Sequence, residues 1–592
     1  MLTNYWPTAS QVNACIKNEA ETADVAVLLA VHQPSPLTTR DVGSGLETAV
    51  SENDLLKAFL SDDVPGGALL VPITGASGAG KSHMIRWLDA QLQRSAKSDR
   101  LHIIRIPKSA SLRTVVEKIL EPLKDNKAYD KVRGEMTRAV AAVNVDEAVL
   151  TFRAHLEFAL KEIGAKLEAE YRDNSERGDL RPKIGHARDL PKLFGDAALA
   201  DHFADKVLSR IVKRALQGRP EDSSEEDDRR SQFVPEDLVL PDDVDLSQAA
   251  QAVKNYFQRN LATADAAKIR VAIDLLNDAI DPAIGNVFHL QQSTGGMTFQ
   301  DIILAVRETL LEEDKDLVLL VEDFAALSGI QDVLLKVCIQ EGEYAGKKVR
   351  ATMRSAIALT DGVLSFRDTM FTRAQKEWVV GGRDMTQAQV KDATVDLVGA
   401  YLNAARFGES ELQRLFKASA GGAASNWLPV WRDDTDSDED QDLLKAFGYS
   451  TAGAPLFPFN RHAVSVMADA HLQRNGVLVF NPRKIINDLL RNTLLLRRLF
   501  EAKAFPSADQ RAFPPNSWLA TWITRTNQSE TVRRRLQAFL PVWGGNPGDE
   551  TALSHLAPGL FTAFSLPTPA QLASIDYVAT PEAQVPSARE PT

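Results

Sequence analysis

Ala68-Leu-Leu-Val-Pro-Ile-Thr74-Gly75-Ala-Ser-Gly-Ala-Gly80-Lys81-Ser82 is the stretch on which the reading of this chain turns. Its first seven residues form a short apolar run bounded by glycines, the length and composition of a buried strand. From Ser82 to Arg94, Met84, Ile85, Leu88 and Leu92 recur at helical spacing. Between strand and helix, Gly75, Ala76, Ser77, Gly78, Ala79, Gly80, Lys81 and Ser82 fit G-x-x-x-x-G-K-[ST] in full. Three glycines let such a loop wrap close to a polyphosphate with its N–H groups inward. The helix that follows adds the positive end of its dipole. Lys81 is expected to reach the β- and γ-phosphates, and Ser82 to offer its hydroxyl to a metal. ATP and Mg²⁺ are therefore the expected cofactors.

Working outward, Leu101-His-Ile-Ile-Arg-Ile-Pro107 reads as a second strand, so the opening is a strand–helix–strand unit of a parallel sheet. The sheet signal returns at Asp316-Leu-Val-Leu-Leu-Val321, at Ser355-Ala-Ile-Ala-Leu-Thr360 and, more faintly, at Glu377-Trp-Val-Val380. The run ending at Val321 continues into Glu322 and Asp323 and resembles a Walker B strand, with Glu–Asp where Asp–Glu is common. Either order is expected to put one carboxylate beside the strand Ala68–Thr74 and the next near an attacking water. Glu322 is assigned with Ser82 to the metal, and Asp323 to water activation, with the exchange of roles left open.

The remaining motifs follow in an order that resembles AAA+ ATPases. Thr360, at the end of the fourth strand, matches the sensor 1 position, which in that family sits between the phosphate loop and the Walker B strand. Arg367 and Arg373 precede the fifth strand, where the resemblance implies an arginine reaching a neighbouring subunit's nucleotide; Arg373 is the candidate. Phe480-Asn481-Pro482-Arg483-Lys484 opens a helix, and Arg483 resembles the sensor 2 arginine of a helical lid. Gly80-Lys-Ser-His-Met-Ile-Arg-Trp87, Arg105-Ile-Pro-Lys108 and Val321-Glu-Asp-Phe-Ala325 are similar to large bacterial phage-defence ATPases of the BREX and Dpd type. That resemblance implies a regulatory or motor subunit, homo-oligomeric, working with protein partners in a DNA-directed defence complex.

The expected fold is α/β, a P-loop AAA+ parallel sheet core with a large all-helical insertion and a helical lid. Residues 1–66 read as an N-terminal helical segment. Residues 67–108 and 301–383 form the core, 109–300 the insertion, 384–503 the lid, 504–565 a small C-terminal region and 566–592 a disordered tail. Two acidic runs, 221–228 and 433–442, read as exposed loops. The second begins Asp-x-Asp-x-Asp but lacks the glycine and closing glutamate of a calcium loop.

Composition sets the outer bounds. The 592 residues carry 68 Lys and Arg against 80 Asp and Glu, a net charge of −12. That disfavours a surface that coats nucleic acid throughout, while leaving room for a local basic patch. The C-terminal region offers one, with Arg483, Lys484, Arg491, Arg497 and Arg498 followed by Arg533, Arg534 and Arg535 beside Trp518 and Trp522. Cys15 and Cys338 lie too far apart in sequence for a disulfide framework, and no zinc-ligand spacing accompanies them. The start lacks the pattern of a secretory signal and no apolar run is long enough to span a bilayer, so a cytoplasmic, membrane-free protein is expected. A DNA-loading, replication-initiator-like ATPase and a non-hydrolysing nucleotide switch remain alternatives. A small-molecule kinase is disfavoured by the paired acids and by the distant Arg483.

Overall fold

The computed structural model describes the chain apart from residues 1, 18–23, 42, 77, 108–109, 111, 126, 128–129, 131–133, 135–144, 174–177, 218–231, 241–245, 263–265, 288–298, 325–330, 345, 360–373, 375, 382–384, 420–426, 475, 508–512 and 574–592. Two compact units emerge. One comprises residues 1–19, 23–33 and 382–592, and the other residues 20–22 and 34–381.

The second unit is built on a seven-stranded sheet. Its strands are β1 (Leu37–Asp41), β2 (Glu47–Val50), β3 (Ala68–Thr74), β4 (Leu101–Ile106), β5 (Asp316–Val321), β6 (Met353–Ala358) and β7 (Lys376–Val380). They lie in the order β2-β1-β7-β3-β6-β5-β4. The five strands from β7 to β4 are mutually parallel, whereas β1 and β2 add antiparallel to the β7 edge. The central strands read as continuous apolar runs because helices cover both faces of a parallel sheet. Accordingly, every residue of β6 is buried.

Two expectations change here. The N-terminal 66 residues are not a helical segment of their own, because Leu37–Asp41 and Glu47–Val50 form a ribbon on the sheet. Their Thr-rich sequences, with Glu47–Val50 mostly exposed, suit an edge and carry little hydrophobic signal. Strand β5 is not beside β3 either; β6 pairs with both, through Leu70↔Ser355 and Leu319↔Ser355.

The insertion supplies long helices, including Val145–Asp173, Leu180–Gly195 and Ala266–Val287. Phe152, Leu156, Leu190 and Leu276 share one core with Leu70, Ile104 and Leu319 of the sheet. Arg307, fully buried, donates to the carbonyls of Ala351 (3.0 Å) and Gln340 (2.7 Å), and so staples the helix Phe299–Glu312 to the segment leading into β6.

The other unit is helical. Trp6 is fully buried, stacked on Phe500 at 4.9 Å and edge-on to Phe505 at 4.9 Å. Arg406 donates to the carbonyls of Tyr5 (2.9 Å), Pro455 (2.9 Å) and Phe457 (2.7 Å). The first residues of the chain therefore belong to the core of the C-terminal region, and the division at 503 between lid and C-terminal region does not separate two cores.

The acidic run 433–442 is only partly a loop. Ser437 caps a helix, Asp438–Phe447, whose first turn holds Asp438, Glu439 and Asp440, where negative charge meets the positive helix end. The tail begins later than residue 566, since Leu566 and Leu572 are buried and Pro569–Ala573 is helical. No helix among the described residues is long and apolar enough to cross a membrane.

Candidate functional site

Strand β3 delivers the chain into the glycine-rich loop at the sheet's C-terminal edge. Gly75 has φ +148°, and a Cβ there would lie 2.2 Å from the Val380 carbonyl oxygen on β7. Only glycine lets the loop leave the strand this close to its neighbour. Gly78 and Gly80 also have positive φ, 77° and 102°, and Gly80 is the N-cap of the helix Lys81–Gln93. Ser77 lies outside the described residues.

Lys81 is buried, and its Nζ donates to the carbonyls of Gly75 (2.8 Å) and Ala76 (2.9 Å). The ammonium thus closes the loop on itself. Ser82 Oγ donates to the Glu322 carbonyl oxygen at 3.3 Å, which ties the start of this helix to the end of β5 across the intervening strand.

Glu322 is buried, and its carboxylate meets Arg105 of β4, with Nη1 to Oε1 at 2.5 Å. Arg105 also bonds Asp89 through Nε at 2.9 Å. Asp89 in turn accepts from Gln93 Nε2 at 2.6 Å. One guanidinium therefore joins the acid at the end of β5 to the helix that begins at Lys81. Asp323, the next residue, is half-buried.

A second polar contact supports the base of the loop. Thr74 Oγ1 donates to Glu377 Oε1 of β7 at 2.6 Å, and Arg40 of β1 lies 3.4 Å from Glu377 Oε2. Arg40 also pairs with Glu47 of β2 at 2.5 Å. The edge ribbon thus reaches the last residue before Gly75 through one buried carboxylate.

The structure brings Gly75, Ala76, Gly78, Ala79, Gly80, Lys81, Ser82 and Glu322 together at one edge of the sheet. Thr360, Arg367 and Arg373 lie outside the described residues. Arg483 lies in the other unit, in the first turn of the helix that Asn481 caps and Pro482 opens. Sequence reasoning gave no role to Asp89, Arg105, Thr74, Glu377 or Arg40. A signal existed for Arg105, a charged residue inside the largely apolar strand Leu101–Ile106.

Several of the basic C-terminal residues are engaged within their own unit, and of the eight only Arg535 is buried. Arg491 donates to the Ile16 carbonyl at 2.7 Å, and Arg497 to the Trp6 carbonyl. Arg535 is buried against the carbonyls of Phe505 and Phe564, both at 2.5 Å. Arg533 and Arg534 pair with Glu530. Lys484, Arg498 and Arg534 stay exposed.

Comparison with protein-family models, with curated proteins and with solved structures gives no match. Among the described residues there is no cluster of three or more His, Cys, Asp or Glu side chains able to hold a metal by themselves.

Proposed function

We propose that this chain is an ATP-binding and ATP-hydrolysing protein of AAA+ type. The observation that carries the reading is the Gly75–Ser82 loop between β3 and its helix, with the Lys81 ammonium resting on carbonyls that a phosphate would displace. The sheet order adds support: β6 lies between β3 and β5, as the sensor 1 resemblance of Thr360 requires.

The residues present fit the cofactor. The loop amides and the helix start favour an anion, and Lys81 can exchange carbonyl oxygens for phosphate oxygens. Ser82 and the carboxylate at Glu322 would hold Mg²⁺, which when bound shields phosphate charge. Arg105 orients the Glu322 carboxylate through their ion pair, so Glu322 would present its charge to the ion from a fixed position. Asp323 orients and deprotonates the attacking water. Arg373, Thr360 and Arg483 are the proposed arginine finger and sensors, and Arg373 in trans implies a homo-oligomer.

In the cell this ATPase would serve as the regulatory or motor subunit of a cytoplasmic, DNA-directed bacterial defence complex, together with protein partners. The engaged state of Arg491, Arg497 and Arg535 favours DNA contact through those partners over direct contact by the C-terminal region. The test is ATP turnover with and without double-stranded DNA for wild type, Lys81→Ala and Asp323→Asn. Turnover lost in both variants is expected. Binding without turnover, equal in wild type and Asp323→Asn, would point instead to a nucleotide switch.

A further inference from the structure

The helix Val145–Asp173 of the insertion buries Val149, Phe152, Leu156 and Leu160 on one side. Its other side carries two large apolar residues in the open, Leu150 at 58% exposure and Phe158 at 63%. Ala154, also exposed, lies midway between them, and exposed Glu147 and Lys161 lie seven residues to either side of it. At 3.6 residues per turn, all five fall within about 40° of the Ala154 direction. They form a single stripe with apolar residues at the centre and opposite charges at its two ends. Among the described residues, neither Glu147 nor Lys161 has an ion-pair partner.

This pattern is self-complementary under reversal. Two such helices laid antiparallel with their Ala154 residues facing bring Leu150 of one copy toward Phe158 of the other. The small side chain at the centre permits close approach, and Glu147 of each copy meets Lys161 of the other twice over. A two-fold axis requires a patch that fits its own reverse, and charge placed symmetrically about a small residue meets that requirement. A parallel pair would set Glu147 against Glu147 and Lys161 against Lys161.

We propose that the insertion is a homotypic docking element, pairing two copies of this chain through an antiparallel contact of Val145–Asp173 centred on Ala154. The contact is small, below the roughly 1,200 Å² of a standard interface, so the dimer is weak and concentration-dependent. It is independent of nucleotide and of the proposed ATPase reading.

Sedimentation equilibrium of the full chain without nucleotide, up to about 500 μM, tests it over the range that so small an interface needs. Wild type is expected to show a monomer–dimer equilibrium. Glu147→Lys and Lys161→Glu should each raise Kd about tenfold, and the variant carrying both changes should return to within about threefold of wild type. Phe158→Asp should leave a folded monomer by circular dichroism. A wild-type monomer over the whole range overturns the proposal. So does a dimer indifferent to these changes, or one that the double exchange fails to restore.

Discussion

Arg105 and Glu322 stand 2.5 Å apart, the guanidinium of β4 against the carboxylate that follows β5. They are 217 positions apart in sequence, the intervening chain folds into the insertion and part of the sheet, and the pair closes that excursion. Because Arg105 also holds Asp89, it fixes the end of β5 relative to the helix that carries Lys81 and Ser82.

Removing Arg105 leaves a buried carboxylate without its cation. Arg105→Ala should lower the stability of the sheet unit by about 1–3 kcal/mol, less than a fully dry pair because the arginine is partly exposed. Adding Glu322→Gln should recover about half of that loss, since the charge no longer needs a partner. Urea denaturation of the three variants provides the check, and equal losses in single and double variants would contradict it.

Gly75 tolerates no side chain. With φ at +148° and the Val380 carbonyl oxygen 2.2 Å from where a Cβ would sit, Gly75→Ala must push β3 and β7 apart or turn the loop. ATP binding should fall at least about tenfold with folded β-sheet retained, as strain at a special backbone position costs of order 1–3 kcal/mol. Fluorescent-nucleotide titration with circular dichroism measures both.

Arg406 is the corresponding staple in the helical unit. Burial pushes its pKa down to about 9, and its nitrogens satisfy three carbonyls from the start of the chain and from the Pro455–Phe457 turn. Arg406→Leu should destabilise that unit by about 3 kcal/mol, because the carbonyls lose their donors without gaining water. Thermal unfolding should show it, and an unchanged midpoint would argue against the staple.

His186 makes the insertion acid-sensitive. It is buried, with Nδ1 2.7 Å from the Tyr256 hydroxyl, and burial lowers its pKa from the ordinary 6.5. Above 6.5 neither folded nor unfolded chain holds the proton. Below it, the unfolded chain binds a proton that the folded chain refuses, so stability falls with falling pH until the lowered pKa is reached. The slope is up to about 1.4 kcal/mol per pH unit. His186→Gln should flatten denaturation midpoints across this range, and an identical slope in both proteins would contradict the assignment.

The central sheet was legible because its determinants are local. Ala68–Thr74 and Asp316–Val321 are apolar runs of strand length, and Gly75–Ser82 states its own turn chemistry. The edge ribbon was not, because Leu37–Asp41 and Glu47–Val50 owe their strand form to the open edge of β7 rather than to their own pattern. Partners distant in sequence were equally hidden. Nothing near Arg105 announces Glu322, nothing near Trp6 announces Phe500, and nothing in the C-terminal arginines shows that Arg491, Arg497 and Arg535 meet carbonyls within the fold. Charge counted along a sequence does not reveal which charges face water.

The most direct test of the account is isothermal titration of ATP with Mg²⁺ into wild type and Lys81→Ala. Wild type should bind one nucleotide per chain, and Lys81→Ala should weaken binding by about tenfold to a hundredfold, the loss of charge-assisted hydrogen bonds to phosphate. No binding to wild type, or equal affinity in the two proteins, would contradict the assignment of the Gly75–Ser82 loop.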